Sequence, residues 1–403
     1  MPVPFITAKN IEDATFQANP EYELVPFDHL VPEQREVLAD LKKDPNLYGI
    51  LRPRNQRGLA IKSISQDIAR LLLALQQPGK LPNHVRVTLG DRYEQTVGAL
   101  VLDGVFEVEQ NGVFVSGPHA CAPGMLEREG STGPGVIARL SIDALKYAQA
   151  LEIMDVTKLS ARIYFYNRLP VSSRWKQRFP TEDAVIEHLG IHSHRPTRNL
   201  LEHSWSSVVS TSPFFKGWMM WKSRHPDRRL PRSGPRFKLY VSPQCEVVRE
   251  AFEGTVEILS ESSAAQFKVG NDVYGLLRPD KVVAYFSSLQ DLEEVAKSLT
   301  QRLVGVPPHG VPFTAEIAGD GLISWGIDPP RQQQALAWQE RESWRLWITN
   351  QLATALLMAR GYKPGPVEPW QFALECLRLR GVDTQFWRPL GDLGWSNVPV
   401  EDE

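Results

Sequence analysis

The chain has 403 residues, of which 42% are hydrophobic and 23% charged, and its formal net charge is −2. Such a composition excludes broad disorder, and the length indicates two or three domains, or one large domain with an extension. A net charge near zero gives no global attraction to nucleic acid or to a membrane surface. The three cysteines lie far apart, and no apolar run reaches the length of a membrane span. We therefore expect a soluble protein of the reducing cytoplasm.

Residues 1–130 predict a small module of helices followed by a hairpin. The stretch SISQDIARLLLALQQPG predicts a helix capped at Ser65 or Ser63. A second helix is predicted for DRYEQTVGALVLDG, and Asn111-Gly112 between two alternating runs marks a hairpin turn. This order is typical of a winged-helix or peptide-docking module, although an ordinary scaffold has the same pattern.

Residues 131–235 predict a helical and loop region. VIARLSIDALKYAQALEIM has helical periodicity, whereas LSARIYFYNRLPVSSRWKQRFP predicts a strand-like run. From Lys216 to Lys238, eight Lys and Arg residues and several prolines accompany one acid. This composition indicates a solvated loop or a basic lid over an anionic substrate. Nucleic-acid binding by the segment is disfavoured, because its tryptophans precede the cations and do not alternate with them.

Residues 236–403 predict an α+β domain, with a mostly antiparallel sheet and helices packed against it. In RFKLYVS, apolar residues alternate with Lys238 and Tyr240, which predicts a strand with these two side chains on one face. Further strands are predicted for AQFKVG and KVVAYF. Helices are predicted for SPQCEVVREAFEGTVEILSESS, capped at Ser242, for LQDLEEVAKSLTQRLVG, and for a long segment over residues 335–360.

Lys268 lies in a predicted strand between Phe267 and Val269, where a core needs no lysine. Desolvation near other cations lowers the pKa of a lysine from about 10.4, so that it acts as a general base near neutral pH. Arg278 and Lys281 follow closely and offer a clamp for phosphate or carboxylate. One at a time, these residues fit edge-strand charges or a turn; together they favour removal of an α proton with loss of phosphate.

Four sequence blocks resemble the HopA-type effector family, in the expected order over roughly residues 200–360: FKLYVSP, FKVGND, LLRPDKVVAYF and VPFTAEIAGDGLISWGIDPP. They look like the HopA-like lyases of class V lanthipeptide and thioamitide biosynthesis. That resemblance implies elimination of phosphate from phosphoserine or phosphothreonine in a precursor peptide, which leaves dehydroalanine or dehydrobutyrine. It also implies a partner Ser/Thr kinase that installs the phosphate. Residues 1–130 carry no resemblance and are a candidate to bind the peptide leader by strand addition.

The blocks are more distantly similar to the SpvC/OspF-type phosphothreonine lyases, which use a lysine base, a histidine acid and arginines around the phosphate. This similarity implies that Lys268 is the base, that Lys238 assists it, and that Tyr240 replaces the histidine acid. A tyrosine has a pKa of about 10 and is a different acid, so His225 and His309 stay alternatives. Phosphate binding is assigned to Arg278, Arg345, Lys281 and Arg236, and a further site role to Tyr285.

The alternative function is a non-catalytic protein of effector type that binds a phosphopeptide or a kinase. The missing histidine favours this alternative, whereas the joint presence of Lys268, Lys238 and Arg278 favours the lyase. No metal or other cofactor is expected. The histidines of HLGIHSHRP, residues 188–196, surround a glycine and precede a proline, which predicts a loop.

Overall fold

The computed structural model describes residues 8–54, 60–90, 93–121, 135–192, 195–209, 217–231, 236–329 and 342–390. The α-helices in these ranges are α1 Ala8–Asp13, α2 Pro32–Val37, α3 Gln66–Ala74, α4 His84–Leu89, α5 Tyr93–Leu102, α6 Val136–Gln149, α7 Val156–Tyr164, α8 Ser173–Arg178, α9 Glu182–His188, α10 Pro196–Ser204, α11 Val248–Ser260, α12 Val273–Leu276, α13 Leu289–Arg302, α14 Trp344–Arg360 and α15 Pro369–Leu379. The strands are β1 Phe16–Ala18, β2 Tyr22–Pro26, β3 Leu47–Pro53, β4 Lys62–Ser65, β5 Phe106–Gln110, β6 Val113–Val115, β7 Trp205–Ser207, β8 Trp218–Ser223, β9 Phe237–Val241, β10 Gln266–Gly270, β11 Val282–Phe286, β12 Ala315–Ile317, β13 Ile323–Ile327, β14 Val382–Asp383 and β15 Arg388–Pro389. None of the helices in these ranges is long and apolar enough to cross a bilayer.

A seven-stranded antiparallel sheet, in the order β12-β13-β9-β11-β10-β8-β7, forms the centre of the C-terminal part. One face is apolar and packs on α11 and α13, with Leu239, Phe267 and Val282 buried against Phe252 and Leu299. The strands and helices here follow from alternating and 3.6-residue patterns in the sequence. The predicted α+β fold with an antiparallel sheet is confirmed.

The opposite face of this sheet lies beside α7 and α14, which pack on each other, and α14 packs in turn on α15. α14 is capped by Ser343, whose hydroxyl accepts a hydrogen bond from the Leu346 N–H. Its Trp344 is fully buried and donates from the indole to the Phe313 carbonyl at 2.8 Å. These contacts hold the first turn of α14 against the sheet.

The N-terminal part contains the predicted helices and hairpin. Ser65 caps α3, accepting from the Ile68 N–H. The turn between β5 and β6 uses Asn111 and Gly112 with φ of 53° and 79°, values that asparagine and glycine tolerate well. β1 completes a three-stranded sheet, β1-β5-β6. One hydrophobic core runs from Phe16 in β1 to Leu356 in α14, and the division at residues 130 and 235 stays a prediction.

Three predictions of local structure are wrong. The run from Leu159 predicted as strand-like is α7 and α8 instead, because Asp155 caps α7 and Leu159 and Ile163 bury one helical face. Ser242 does not cap a helix: its hydroxyl donates to the Pro279 carbonyl, and α11 begins only at Val248. The long helix predicted over 335–360 begins at residue 344 within the described ranges, and residues 335–341 lie outside them.

Candidate active site

Lys238, Tyr240 and Lys268 lie on one face of the large sheet. Lys238 and Tyr240 are two residues apart in β9, and Tyr285 in β11 lies opposite Lys238. Val283 in β11 lies opposite both Tyr240 and Lys268, and so separates them across the sheet. Because side chains alternate along each strand, all four polar groups point away from the apolar face. The strand alternation in the sequence predicts this shared face for Lys238 and Tyr240, and for Lys268 on condition that the strands pair.

Lys268 is partly exposed in the middle of β10, and its ammonium lies 4.0 Å from the centroid of the Trp218 ring. No carboxylate of the described residues lies within ion-pair distance of it. Burial lowers the pKa of Lys268 to about 7; Asp280 opposes the shift, and Lys238 and Arg278 add to it. A large fraction of Lys268 is therefore a neutral amine near pH 7, which is the form that a general base needs.

Lys238 differs from Lys268 in having a carboxylate partner. It is buried and forms a short ion pair with Asp328, which follows β13. The Asp328 N–H donates to the Arg236 carbonyl at 3.1 Å, which holds Asp328 beside β9. The ammonium of Lys238 also lies 5.7 Å from the Tyr285 ring centroid. The ion pair thus holds Lys238 in place on the same sheet face as Lys268, with β11 between the two lysines.

Asp280 lies at the centre of the remaining cations. Arg278 donates to both of its oxygens, from Nε to Oδ1 at 2.8 Å and from Nη2 to Oδ2 at 2.9 Å. Nη1 of Arg345 lies 2.9 Å from Oδ2, but out of line for a hydrogen bond, so this contact is an ion pair only. Burial alone would raise the pKa of Asp280, yet the two guanidiniums hold it well below its ordinary value. The ionised carboxylate is therefore shared by both arginines.

The two arginines differ in access. The side chain of Arg345 is 1% exposed, and its other donors reach the carbonyls of Pro312 at 3.1 Å and Tyr164 at 2.8 Å. The side chain of Arg278 is 18% exposed, and its Nη2 also reaches the Tyr164 hydroxyl at 3.3 Å. Arg345 therefore anchors Asp280 and the end of α7, whereas Arg278 remains accessible to a ligand.

The tyrosines of this face are neutral hydrogen-bond donors. Tyr240 is 3% exposed, and burial raises its pKa well above the ordinary value. Burial likewise raises the pKa of Tyr285. Each phenol is therefore protonated at neutral pH and can give a proton or a hydrogen bond to an oxygen that gains negative charge.

Lys281 and His309 form a separate, enclosed pair. Lys281 is fully buried and donates to the Pro243 carbonyl at 2.7 Å and to His309 Nδ1 at 2.8 Å. His309 Nε2 then donates to the Asn167 carbonyl at 2.6 Å. Burial, followed by the charge of Lys281, lowers the pKa of His309 to about 3. The structure does not bring Lys281 to an accessible position in the cation group, and His309 stays neutral and fully bonded.

The other predicted candidates lie at the margin or outside the described residues. Arg236 precedes β9, and its Nε is buried without a hydrogen-bond partner in the described ranges. His225 is exposed in the loop after β8. Lys216 and Arg232 of the predicted basic lid, and His194 of the predicted histidine loop, lie outside the described residues. Within the described ranges, no three His, Cys, Asp or Glu residues are grouped to hold a metal ion.

Known structures of two kinds are similar to this chain. Effector proteins from Pseudomonas syringae pv. tomato strain DC3000 and pv. syringae strain 61 are 14% and 12% identical, both with a TM-score of 0.37, and cover 62% of this chain and 97% and 96% of their own. The VirA (SpvC) phosphothreonine lyase effector protein of Chromobacterium violaceum is 18% identical, with a TM-score of 0.26 over 36% of this chain and 77% of its own. The type III effector/phosphothreonine lyase OspF of Shigella flexneri is 12% identical, with a TM-score of 0.27, and covers 49% of this chain and 99% of its own. No protein-family model and no curated protein matches the sequence. Likeness at this level assigns no activity.

Sequence reasoning missed four residues that shape the site: Asp280, Asp328, Tyr164 and Trp218. The sequence contained an indication that Asp280 belongs to the site, because Asp280 lies between two predicted phosphate ligands in LLRPDK. The other three had none, since each comes from a segment that is distant in sequence or was assigned to a different structure. Only the tertiary fold, in which β8 and β13 are strands of the sheet and α7 lies beside it, brings them to the cations.

Proposed function

We propose that this protein is a lyase that eliminates phosphate from a phosphoserine or phosphothreonine residue of a peptide. The observation that supports it best is Lys268: an ammonium without a carboxylate partner in the described ranges, with a pKa of about 7, on the same face as Lys238 and Tyr240. A base that is half neutral near pH 7 suits removal of a weakly acidic α proton.

In the proposed reaction, the neutral amine of Lys268 takes the α proton of the phosphorylated residue. The electron pair of the broken C–H bond forms the Cα–Cβ double bond, and the Cβ–O bond to phosphate breaks. Tyr240 gives its proton to the departing oxygen, which leaves as hydrogen phosphate; solvent then reprotonates Tyr240 and takes the proton from Lys268. The leaving phosphate trianion is a strong base, so even a weakly acidic phenol supplies the proton.

Two cations stabilise charge in this scheme. Lys238, held by its ion pair with Asp328, faces the enolate-like charge that develops at the peptide carbonyl. Arg278, the accessible arginine of the Asp280 cluster, binds the phosphate oxygens through its free donors. Arg345 acts indirectly, because it holds Asp280 and so fixes the guanidinium plane of Arg278.

The proposed substrate is a precursor peptide of lanthipeptide type that a partner Ser/Thr kinase has phosphorylated. After elimination, the peptide carries dehydroalanine or dehydrobutyrine at that position. The resemblance of the four sequence blocks supports this assignment. Within residues 1–130, β6 is the outer strand of its sheet and Val113 is 60% exposed, so this edge is suited to pair with an extended leader segment.

A second candidate function is recognition of a phosphopeptide or kinase without catalysis. The observation that favours it is the Asp280 carboxylate, which already pairs with both Arg278 and Arg345 and offsets one of their two charges. A tyrosine of raised pKa at the acid position favours it as well. Such a site would hold a phosphate but lack the proton donor that makes it a good leaving group.

Mass spectrometry of a phosphothreonine peptide incubated with the protein tests the proposal. The matched variants are Lys268→Gln and Lys297→Gln, the second an exposed lysine of α13 on the far side of the sheet. Elimination by the wild type and Lys297→Gln, but not by Lys268→Gln, is the expected result. Binding of the phosphopeptide over its unphosphorylated form, without turnover, would establish the second candidate instead. Neither binding nor turnover would refute both.

A further inference from the structure

Cations and aromatic rings alternate from the proposed base towards the surface. The Trp218 ring lies 4.0 Å from the Lys268 ammonium and 4.8 Å from the Arg278 guanidinium carbon. On the other side of Arg278, the Phe165 ring centroid lies 5.6 Å from Arg278 and 5.4 Å from Arg168. Ring faces carry partial negative charge, so they separate these three like charges at distances that stabilise each of them. Arg168 is the outermost cation of this row.

Arg168 is held in place, yet its charge is not neutralised. Its Nη2 donates to the Tyr274 carbonyl at 3.2 Å, and its guanidinium also lies 5.6 Å from the Tyr274 ring. No carboxylate of the described residues is within ion-pair distance of it; Asp272 instead accepts from the Gly275 N–H as the cap of α12. Burial, followed by the charge of Arg278, lowers the pKa of Arg168 from its ordinary value, whereas the charges of Asp272 and Asp280 oppose the shift.

A built turn presents Arg168. Asn167 has a left-handed φ of 66°, and its amide donates to the carbonyls of His309 at 2.8 Å and Gly310 at 3.1 Å. The His309 ring donates back to the Asn167 carbonyl. On the other side, the Leu169 N–H donates to the Leu277 carbonyl at 3.0 Å, one residue before Arg278. The backbone before Arg168 is therefore tied to the loop that carries His309, and the backbone after it to the turn that carries the proposed phosphate ligand Arg278.

The net charge of the candidate site indicates a role for Arg168 in binding an anion. When Lys268 is the neutral base, three cations face two carboxylates in the site: Lys238, Arg278 and Arg345 against Asp280 and Asp328. One net positive charge is left for a phosphate that carries nearly two negative charges at pH 7. Arg168 is the adjacent partly exposed cation that supplies the second, and the exposed rings of Phe165 and Tyr274 flank the approach to it.

We propose that Arg168 is a further substrate-binding residue, which binds the phosphate of the phosphorylated residue together with Arg278. This inference rests on the proposed phosphopeptide site, and it also gives the enclosed Lys281–His309 pair a role. That pair fixes the turn at Asn167, so Lys281 and His309 act as positioning residues and do not touch the substrate.

The experiment compares steady-state elimination by the wild type, Arg168→Gln, Arg168→Lys and the control Arg162→Gln, an exposed arginine of α7. We expect Arg168→Gln to raise KM for the phosphothreonine peptide roughly tenfold or more with kcat little changed, the loss typical of one hydrogen bond to a charged group. Arg168→Lys should recover part of the affinity, and Arg162→Gln should match the wild type. Equal far-UV circular dichroism and urea midpoints confirm that the variants are folded.

A KM for Arg168→Gln equal to that of the wild type overturns the inference and leaves the lyase intact. If the wild type does not eliminate phosphate, fluorescence anisotropy of a labelled phosphopeptide replaces the kinetic readout. Weaker binding by Arg168→Gln than by Arg162→Gln then supports the role of Arg168 although the lyase fails. Equal binding by the two variants, or no binding by the wild type, refutes it.

Discussion

Replacing Asp280 with asparagine tests the centre of the candidate site without any assumption about substrate. Asparagine keeps the shape of aspartate but removes the charge that Arg278 and Arg345 share. Arg345 is 1% exposed and cannot turn to solvent, so its charge would stay buried with only carbonyl partners. Removal of one partner from a buried ion pair costs about 3–5 kcal/mol, and we expect Asp280→Asn to lie in that range.

The effect should also depend on pH. The arginines hold the pKa of Asp280 below its unfolded value of about 3.9. Its contribution to stability is therefore fully present above about pH 4 and is lost as the pH falls towards the folded-state pKa. We expect the stability difference between the wild type and Asp280→Asn to be smaller at about pH 3 than at about pH 5.

Urea unfolding followed by tryptophan fluorescence measures both effects. The matched control is Asp28→Asn, which removes a carboxylate paired with Lys42 where the two side chains are 79% and 56% exposed. Such an exposed pair is screened by solvent and contributes little to stability. A loss of less than about 1 kcal/mol for Asp280→Asn, equal to the control, would show that the buried bridge is not formed and would refute the site geometry.

Further outcomes follow from the same contacts. The pKa of Lys281 is about 7 in the folded chain and about 10.4 in the unfolded chain. Between these values the unfolded chain binds more protons, so stability rises with pH. Lys281→Met should flatten this rise when urea midpoints are compared from pH 7 to about 10. In Gly270→Ala the new Cβ would lie 2.5–2.7 Å from the backbone of Gly275, so the free energy of unfolding should fall by about 1–3 kcal/mol. In the control Gly79→Ala the new Cβ meets nothing closer than 4.0 Å, so stability should change little. Equal thermal midpoints for the two variants would contradict this. Elimination by the wild type should increase with pH up to about 7 and then level, following the neutral fraction of Lys268, and a rate limb centred above pH 9 would exclude Lys268 as the base.

The elements that the sequence predicts correctly have strong local signals. β9, β10 and β11 alternate, α13 has a helical stripe from Leu292 to Leu299, and Asn111-Gly112 matches its turn. The incorrect elements had competing signals. The aromatic, β-branched run ending α7 favours a strand locally, but the Asp155 cap and packing against α14 make it a helix.

Two predicted phosphate ligands show what residue type and spacing can predict about a site and what they cannot. Arg278 and Lys281 are three residues apart and both cationic, so the sequence gives them the same role. In the fold, Arg278 faces the partly exposed aromatic row, while Lys281 is enclosed by Pro243 and His309. The difference depends on which way the turn before β11 directs each side chain, and the sequence pattern carries no information on that direction.

Alternation along β9 was sufficient to put Lys238 and Tyr240 on one sheet face, because a strand repeats every two residues whatever it packs against. Lys268 joins that face through the pairing of β10 with β11 and of β11 with β9. The charge state of that face could not be read in the same way. Asp328, Tyr164 and Arg345 reach it from β13, α7 and α14, and their packing sets which cations are neutralised and which remain free. Electrostatic interactions depend on distance and burial in three dimensions, and both are properties of the assembled chain.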